Sequence, residues 1–327
     1  MAEGLPTPEH VVLKTLQVGL RSRFIILLLR LFLRPWLARV MRGPIERLCR
    51  VQLMIASRPC GDTSGLAFRY RVIGRAPHAV PGWVAGDLLN PRGRAVLYIH
   101  GGAFVLPASP DQHGRLMTRL CFDLDADGFL VDYRLAPQNK FPAALDDCER
   151  AYRALLEQGY APRHIVVAGE SAGGTLVLGL LQRIRAAGLP MPACAVPISP
   201  AADVGRIHGI PARTSRQRHD PLLGLAAFAA LGDAYVGEHD TADPLLSPLY
   251  ADFTGFPPLY FIASNNEVLR DDSILLAMRA RDAGVAVKVD IWPVLPHAFP
   301  VLENWLVEAR AAREDIVAFM RRYLPPA

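Results

Sequence analysis

From about residue 95 onward, short and nearly unbroken apolar runs alternate with helical stretches. The runs are 95–99 (Ala-Val-Leu-Tyr-Ile), 129–131, 165–168 (Ile-Val-Val-Ala), 195–198 and 259–262, and 286–292 is a further strand candidate. Runs of this kind suit parallel strands covered on both faces, because no position has to face water. Helical patterning fills the spaces near 111–124, 143–158, 172–187, 272–283 and 302–323. That alternation implies βαβ units and a doubly wound, mostly parallel α/β sheet. Pro197 lacks an N–H for the ladder, so its run is expected to end early or to bulge.

The segment 203–240 breaks the rhythm and is rich in Gly, Pro, Arg and Asp, with one helical piece near 222–236. Together with residues 1–60 it reads as a helical lid over the carboxyl ends of the strands, where α/β sheets bind ligands. The expected organisation is therefore an N-terminal helical lid (1–60), a catalytic core (61–202 and 241–327) and a lid insertion (203–240). A length of 327 residues accommodates one such domain with its lid.

The sharpest local signal is Gly169-Glu170-Ser171-Ala172-Gly173-Gly174, directly after the run 165–168 and directly before a helix. In a G-x-S-x-G turn the serine is exposed on a tight strand-to-helix bend, and the flanking glycines let neighbouring backbone approach. The helix start beneath it supplies free N–H groups and partial positive charge for an oxyanion. His100-Gly101-Gly102-Ala103, after the run 95–99, stands where the other oxyanion donor belongs. The expected donors are the N–H groups of Gly101, Gly102 and Ala172. His100, Ala103, Phe104, Leu106 and Glu170 are expected to contact substrate, with Phe104 and Leu106 limiting the depth of the pocket.

The nucleophile is Ser171 and the general base His297, the one histidine of nine that follows the last strand in the chain order serine, acid, histidine. The acid must lie after the run 259–262, where Glu267, Asp271 and Asp272 are available. Asp271 or Asp272 would make an N-cap for the next helix, which leaves Glu267, nearer the strand end, the preferred acid on spacing.

These residues resemble the hormone-sensitive-lipase-like branch of the α/β hydrolases, with its bacterial esterases and arylacetamide-deacetylase relatives. The resemblance extends from about residue 94 to the C-terminus and includes Asp132-Tyr133-Arg134-Leu135-Ala136-Pro137, Phe141-Pro142-Ala143-Ala144 and Asp243-Pro244-Leu245-Leu246-Ser247-Pro248-Leu249. It implies the α/β-hydrolase fold and a carboxylesterase acting on short- to medium-chain esters through an acyl-enzyme, without metal or organic cofactor. The alternatives are an amide or carbamate hydrolase with the same triad, or a non-catalytic ligand-binding member of the fold. In the family the acid stands two residues before a leucine, which counted from Leu269 again gives Glu267. Three positions depart from the family pattern: Ala103 replaces a glycine, Glu170 an aspartate, and Gln138 a glutamate that would make a charged structural contact.

The net charge of +5 gathers near the N-terminus. Arg21, Arg23, Arg30, Arg34, Arg39, Arg42, Arg47 and Arg50 face one acid, Glu46. The segment that holds them is otherwise mostly aliphatic, so a nucleic-acid surface is not expected. Residues 1–10 carry no basic start of a secretory leader, and Arg30 and Arg34 interrupt the apolar stretch from Phe24, so a membrane span is not expected. Arg23, Arg30 and Arg34 fall on one helical face and Phe24, Leu28, Leu31 and Phe32 on another. Two readings follow for residues 11–50: a lid whose apolar face covers the site, which is preferred, or peripheral contact with an anionic membrane. The five cysteines, Cys49, Cys60, Cys121, Cys148 and Cys194, form neither a disulfide framework nor a zinc pattern. Reduced, mostly buried thiols suit a cytoplasmic protein. The expected partners are a small-molecule ester and a second copy in a homodimer, with no nucleic acid.

Overall fold

A computed structural model describes residues 11–43, 45–57, 63–88, 93–206, 210–225 and 234–326. Nine strands form one sheet among these residues. They are β1 (Val11–Leu13), β2 (Phe68–Ile73), β3 (Val80–Ala85), β4 (Ala95–Ile99), β5 (Asp127–Val131), β6 (Ile165–Glu170), β7 (Cys194–Ile198), β8 (Leu259–Ser264) and β9 (Val287–Trp292). The order across the sheet is β1-β9-β8-β7-β6-β4-β5-β3-β2, parallel from β1 to β5 and antiparallel for β3 and β2. The order turns back between β4 and β6, so their carboxyl ends flank the crevice in which ligands of α/β sheets bind.

The unbroken apolar runs are explained by two cores. Leu97, Ile99, Val167 and Phe261 point to the face covered by helices α5 (Ala143–Glu157), α6 (Ala172–Ala186) and α8 (Arg270–Asp282). Val96, Tyr98, Val166 and Tyr260 point to the other, covered by α4 (Arg115–Leu124) and α9 (Val307–Tyr323). Each central strand is therefore apolar at both parities.

The structure departs from the sequence expectations at several places. Pro197 neither ends nor bulges its strand: β7 keeps register with β6 throughout and spans the same number of residues against β8. On the β8 side, Ala195 N–H donates to Pro258 and Ser199 N–H to Ile262, so the ring removes only the one bond between them. The helix expected over 302–323 begins at Val307, after a separate 3₁₀ turn Phe299–Leu302. Within the expected helix near 222–236, residues 225 and 234–236 are helical, while 226–233 lie outside the described residues, as does Cys60. The N-terminal segment is not wholly a lid, because β1 joins the sheet beside β9 and Lys14 N–H continues the pairing to Ile291 O at 2.8 Å.

Beyond β1 the chain forms α1 (Leu20–Leu28), a π-helical turn (Leu29–Leu33), α2 (Arg34–Met41) and, after a turn, α3 (Ile45–Ala56). Here the expected faces are overturned. Phe24, Leu28, Leu31 and Phe32 are exposed, and the inward side carries Leu29, Leu33, Leu37 and Met41. Ser22, Ile25, Ile26, Leu29 and Leu33 recur at helical spacing on the inward side, so the helix carries two apolar stripes and the fold uses the other one. The arginines do not all face open water either: Arg30 and Arg34 donate to the carbonyls of Arg218 and Gln217 at 3.0 and 2.5 Å, holding the insertion.

Candidate active site

Ser171 stands between β6 and α6 with φ 55° and ψ −122°, a conformation that L-residues adopt only when their surroundings impose it. Its N–H donates to Ile198 O at 2.8 Å, fixing the bend to β7. A Cβ on Gly173 would run into the carbonyl oxygens of Ile99 and His100, so this glycine lets α6 begin directly against the end of β4. Ala172 N–H, first in the helix, has no intrahelical acceptor.

The turn after β4 passes through positive φ at Gly102 (111°), Ala103 (54°) and Phe104 (64°). Its orientation corrects one expected donor. Gly101 N–H already donates to Glu170 Oε1 and so is not free to hold an oxyanion. A Cβ at Gly101 would lie 2.7 Å from Glu170 O and 3.1 Å from Ser171 Cβ, which explains the glycine by close approach. The N–H groups of Gly102 and Ala103 have no partner among the described residues.

Two more expected contacts are corrected. Phe104 is buried and stacks on Tyr235 with centroids 3.9 Å apart, so it belongs to the core rather than the cavity wall. His100 is fully buried, stacked on Tyr133 at 4.1 Å, with Nδ1 against Gly101 O at 2.7 Å. Burial, with His113 nearby, pushes its pKa down to about 3, so it stays neutral. Tyr133 also donates to His100 O at 2.9 Å, and Ala136 N–H to Phe104 O at 2.9 Å. The segment 132–137 thus braces the turn from behind. Gln138, for its part, makes a neutral contact with Cys49 Sγ at 3.4 Å. Ala103, Leu106 and Glu170 do line the cavity.

On the other side of Ser171, His297 Nδ1 lies 3.0 Å from Glu267 Oε2, which also accepts from Ser199 Oγ at 3.0 Å. Both residues are buried. Burial pushes the Glu267 carboxyl up, opposed by its hydrogen bond and charge interaction with His297. Burial alone would lower His297, but Glu267, with Asp220 and Glu170 behind it, outweighs that and raises it above 6.5. His297 Nε2 is buried with no hydrogen-bond partner among the described residues, on a side chain lining the same cavity as Ser171. The carboxylate fixes the tautomer with the proton on Nδ1 and leaves Nε2 free to take one.

The aspartates are committed elsewhere and neither caps α8, whose N-cap is Leu269 without a side-chain bond. Asp272 holds the fully buried Arg213 of α7 (Pro211–Arg216) and accepts from Ala202 N–H at 2.8 Å. Asp271 pairs with Arg270 and Arg216.

Several participants carry no local sequence signal. Asp220 Oδ2 accepts from Val268 N–H at 2.9 Å while Oδ1 accepts from Leu222 and Leu223, tying the acid loop to the insertion. Glu170 is ringed by Tyr98 O–H on Oε2 (2.6 Å) and His113 Nε2 at 3.2 Å from Oε1. His113 Nδ1 accepts from Ser109 N–H, so the proton sits on Nε2, and burial lowers the ring's pKa to about 4. Desolvation pushes Glu170 up to about 7 despite these donors. Only the Glu170 position was marked in advance, by the serine motif.

The cavity holds about 490 Å³. Leu33, Trp36, Leu37 and Met41 wall it from the N-terminal helices, Leu222 and Leu223 from the insertion, and Leu302 and Trp305 from the turn before α9. An apolar chamber with a few polar groups at one end suits an organic substrate with a reactive polar centre.

A family model described as alpha/beta hydrolase fold matches residues 96–301. An acetyl-hydrolase of Streptomyces hygroscopicus is 40% identical over 232 residues, which cover 70% of this chain and 76% of the relative. Esterase LipU of Mycobacterium tuberculosis is 38% identical over 239 residues, covering 70% and 77% respectively. Among solved structures, an esterase/lipase from an uncultured bacterium superposes with a TM-score of 0.82 at 31% identity over 94% of this chain and 99% of its own. An esterase of the bacterial hormone-sensitive lipase family gives 0.80 at 28% identity, over 95% of this chain and 100% of its own.

Proposed function

This chain belongs to the α/β-hydrolase-fold family, in the hormone-sensitive-lipase-like branch of serine ester hydrolases, and from that premise we propose that Ser171, His297 and Glu267 act as its catalytic triad. The observation that carries the proposal is His297, with Nδ1 bound to Glu267 and Nε2 without a partner among the described residues, on a side chain lining the same cavity as Ser171. His297 takes the Ser171 proton as Oγ attacks the ester carbonyl. The N–H groups of Gly102, Ala103 and Ala172 then hold the oxyanion, each worth about 3–4 kcal/mol to the transition state. His297 hands its proton to the leaving alcohol. It next deprotonates a water molecule that attacks the acyl-enzyme, and the acid is released with the proton returned to Ser171.

The N-terminal segment within residues 1–60 and the insertion 203–240 form the cap on this reading. Their supporting observation is that both supply apolar walls to the cavity containing Ser171. The size of that cavity and its closure by Trp36 and Trp305 favour short- to medium-chain acyl esters. Turnover of p-nitrophenyl esters of increasing acyl length tests this: kcat/KM should peak at short or medium chains. Faster turnover of emulsified long-chain triglycerides, or of the matching anilides, would overturn it.

A further inference from the structure

The helix running from Leu20 to Met41 is apolar on two sides, and only one of them is used by the fold. Ile25, Ile26, Leu29 and Leu33 pack toward the protein, and Ser22 is fastened by its hydroxyl to Glu308 at 2.5 Å. The opposite side shows Leu20, Phe24, Leu27, Leu28, Leu31 and Phe32, with Leu20 83%, Phe24 61% and Phe32 67% exposed. Leu20, Phe24, Leu27, Leu28 and Leu31 recur at ordinary helical spacing, so they form one continuous stripe along the outward side. A contiguous apolar patch of this kind on a helix that is otherwise well anchored marks a contact surface.

Charge decides the occupant. Arg21, Arg23, Arg30 and Arg39 are exposed along the same helix, Arg42 and Arg47 continue beyond it, and no acidic residue lies between Leu20 and Met41. A second copy docking by two-fold symmetry would set these arginines against their own equivalents, with no carboxylate on the face to answer them. An anionic lipid surface instead matches both features, apolar side chains entering the acyl boundary and guanidinium groups meeting headgroups. No helix among the described residues is long and apolar enough to cross a membrane, so the contact is peripheral.

We infer that the outward face of Leu20–Phe32 docks the protein on anionic membrane surfaces. Because Leu29, Leu33 and Leu37 on the same helix line the cavity, docking also sets the catalytic chamber beside the lipid. The docking itself involves no chemistry at Ser171, so vesicle binding stands or falls apart from ester hydrolysis.

The test is co-sedimentation with vesicles of equal parts phosphatidylcholine and phosphatidylglycerol, against vesicles of phosphatidylcholine alone. The full-length protein should partition onto the mixed vesicles, little onto the neutral ones, and be released as salt is raised, since screening shortens the reach of the arginines. The triple variant Phe24→Gln, Leu31→Gln, Phe32→Gln should lose partitioning by about tenfold or more. Arg21→Gln with Arg23→Gln should lose the preference for phosphatidylglycerol. Both variants should keep wild-type thermal midpoints and hydrolysis of soluble aryl esters, since these side chains project away from core and cavity. Three results would each overturn the inference: no wild-type binding to mixed vesicles, undiminished binding by the triple variant, or a wild-type dimer that the triple variant splits without any vesicle binding.

Discussion

Changing Glu267 to Gln preserves shape and removes one charge at the position that orients His297. In the wild type one carboxylate oxygen accepts from both His297 Nδ1 and Ser199 Oγ, each at 3.0 Å. An amide in that place either offers its oxygen without the charge or turns its NH₂ toward Nδ1. The second orientation forces the proton onto Nε2, so the imidazole meets Ser171 as a donor and cannot take its proton. Amide-for-carboxylate replacement in a triad of this kind lowers kcat by about 10⁴-fold, or about 5 kcal/mol at about 1.4 kcal/mol per decade. The matched control is Asp272→Asn, which removes the carboxylate charge bound to the buried Arg213. Breaking a buried pair costs about 3–5 kcal/mol of stability, while kcat per folded molecule should remain within about tenfold because Asp272 touches the insertion and not His297. Steady-state hydrolysis of a soluble p-nitrophenyl ester, with urea unfolding of each variant, separates the two effects. A Glu267→Gln enzyme within tenfold of wild type, or a stably folded Asp272→Asn enzyme without activity, would refute the assignment of the acid.

On the proposed mechanism His297 works as the neutral base, and since Glu267 favours its protonated form the acid limb of kcat/KM should lie above pH 6.5; a limb at or below that value would count against the pairing. For Glu170 the folded pKa is raised from 4.5 to about 7, so the folded protein retains a proton that the unfolded chain has released. Its stabilising contribution is complete below pH 4.5 and is lost as pH rises through about 7. Relative to Glu170→Gln, wild-type unfolding free energy should therefore fall by about 3 kcal/mol across that window; urea melts at pH 5 and pH 8 that keep the difference constant would contradict this. Gly101→Ala should lower kcat by about tenfold or more, since the new Cβ meets Glu170 O and Ser171 Cβ. Unchanged kinetics in that variant would show that the turn yields without disturbing the serine.

The parallel centre of the sheet was legible because β4, β6, β7 and β8 are buried on both faces and are therefore written as continuous apolar runs. The antiparallel pair was not. Tyr70 and Val72 of β2 are exposed, and Gly82 and Pro81 interrupt β3, so neither strand reads as a run. Ser171 is legible from the G-x-S-x-G turn and His297 from chain order, while the acid has three local candidates, of which spacing and the resemblance favour Glu267. Ion pairs with Arg213, Arg216 and Arg270, two of them far away in sequence, are what occupy the aspartates. The glycine motif after β4 told that backbone N–H groups would be available, but which way Gly101 turns depends on Glu170, a contact 69 residues distant. Similarly, Phe104 was read as a pocket residue because its partner Tyr235 cannot be inferred from local sequence. The N-terminal helix carries an apolar stripe on each of two sides, and periodicity alone does not tell which of them the core takes.

The central claim is that one strained serine, between β6 and α6, forms the acyl-enzyme. A fluorophosphonate probe followed by peptide mass spectrometry tests it most directly, because the probe is captured only by a serine whose base and oxyanion donors are assembled around it. A single adduct on Ser171 is expected, lost in Ser171→Ala together with ester hydrolysis, with the variant's unfolding midpoint unchanged. An adduct on another residue, or hydrolysis that survives in folded Ser171→Ala, would contradict it.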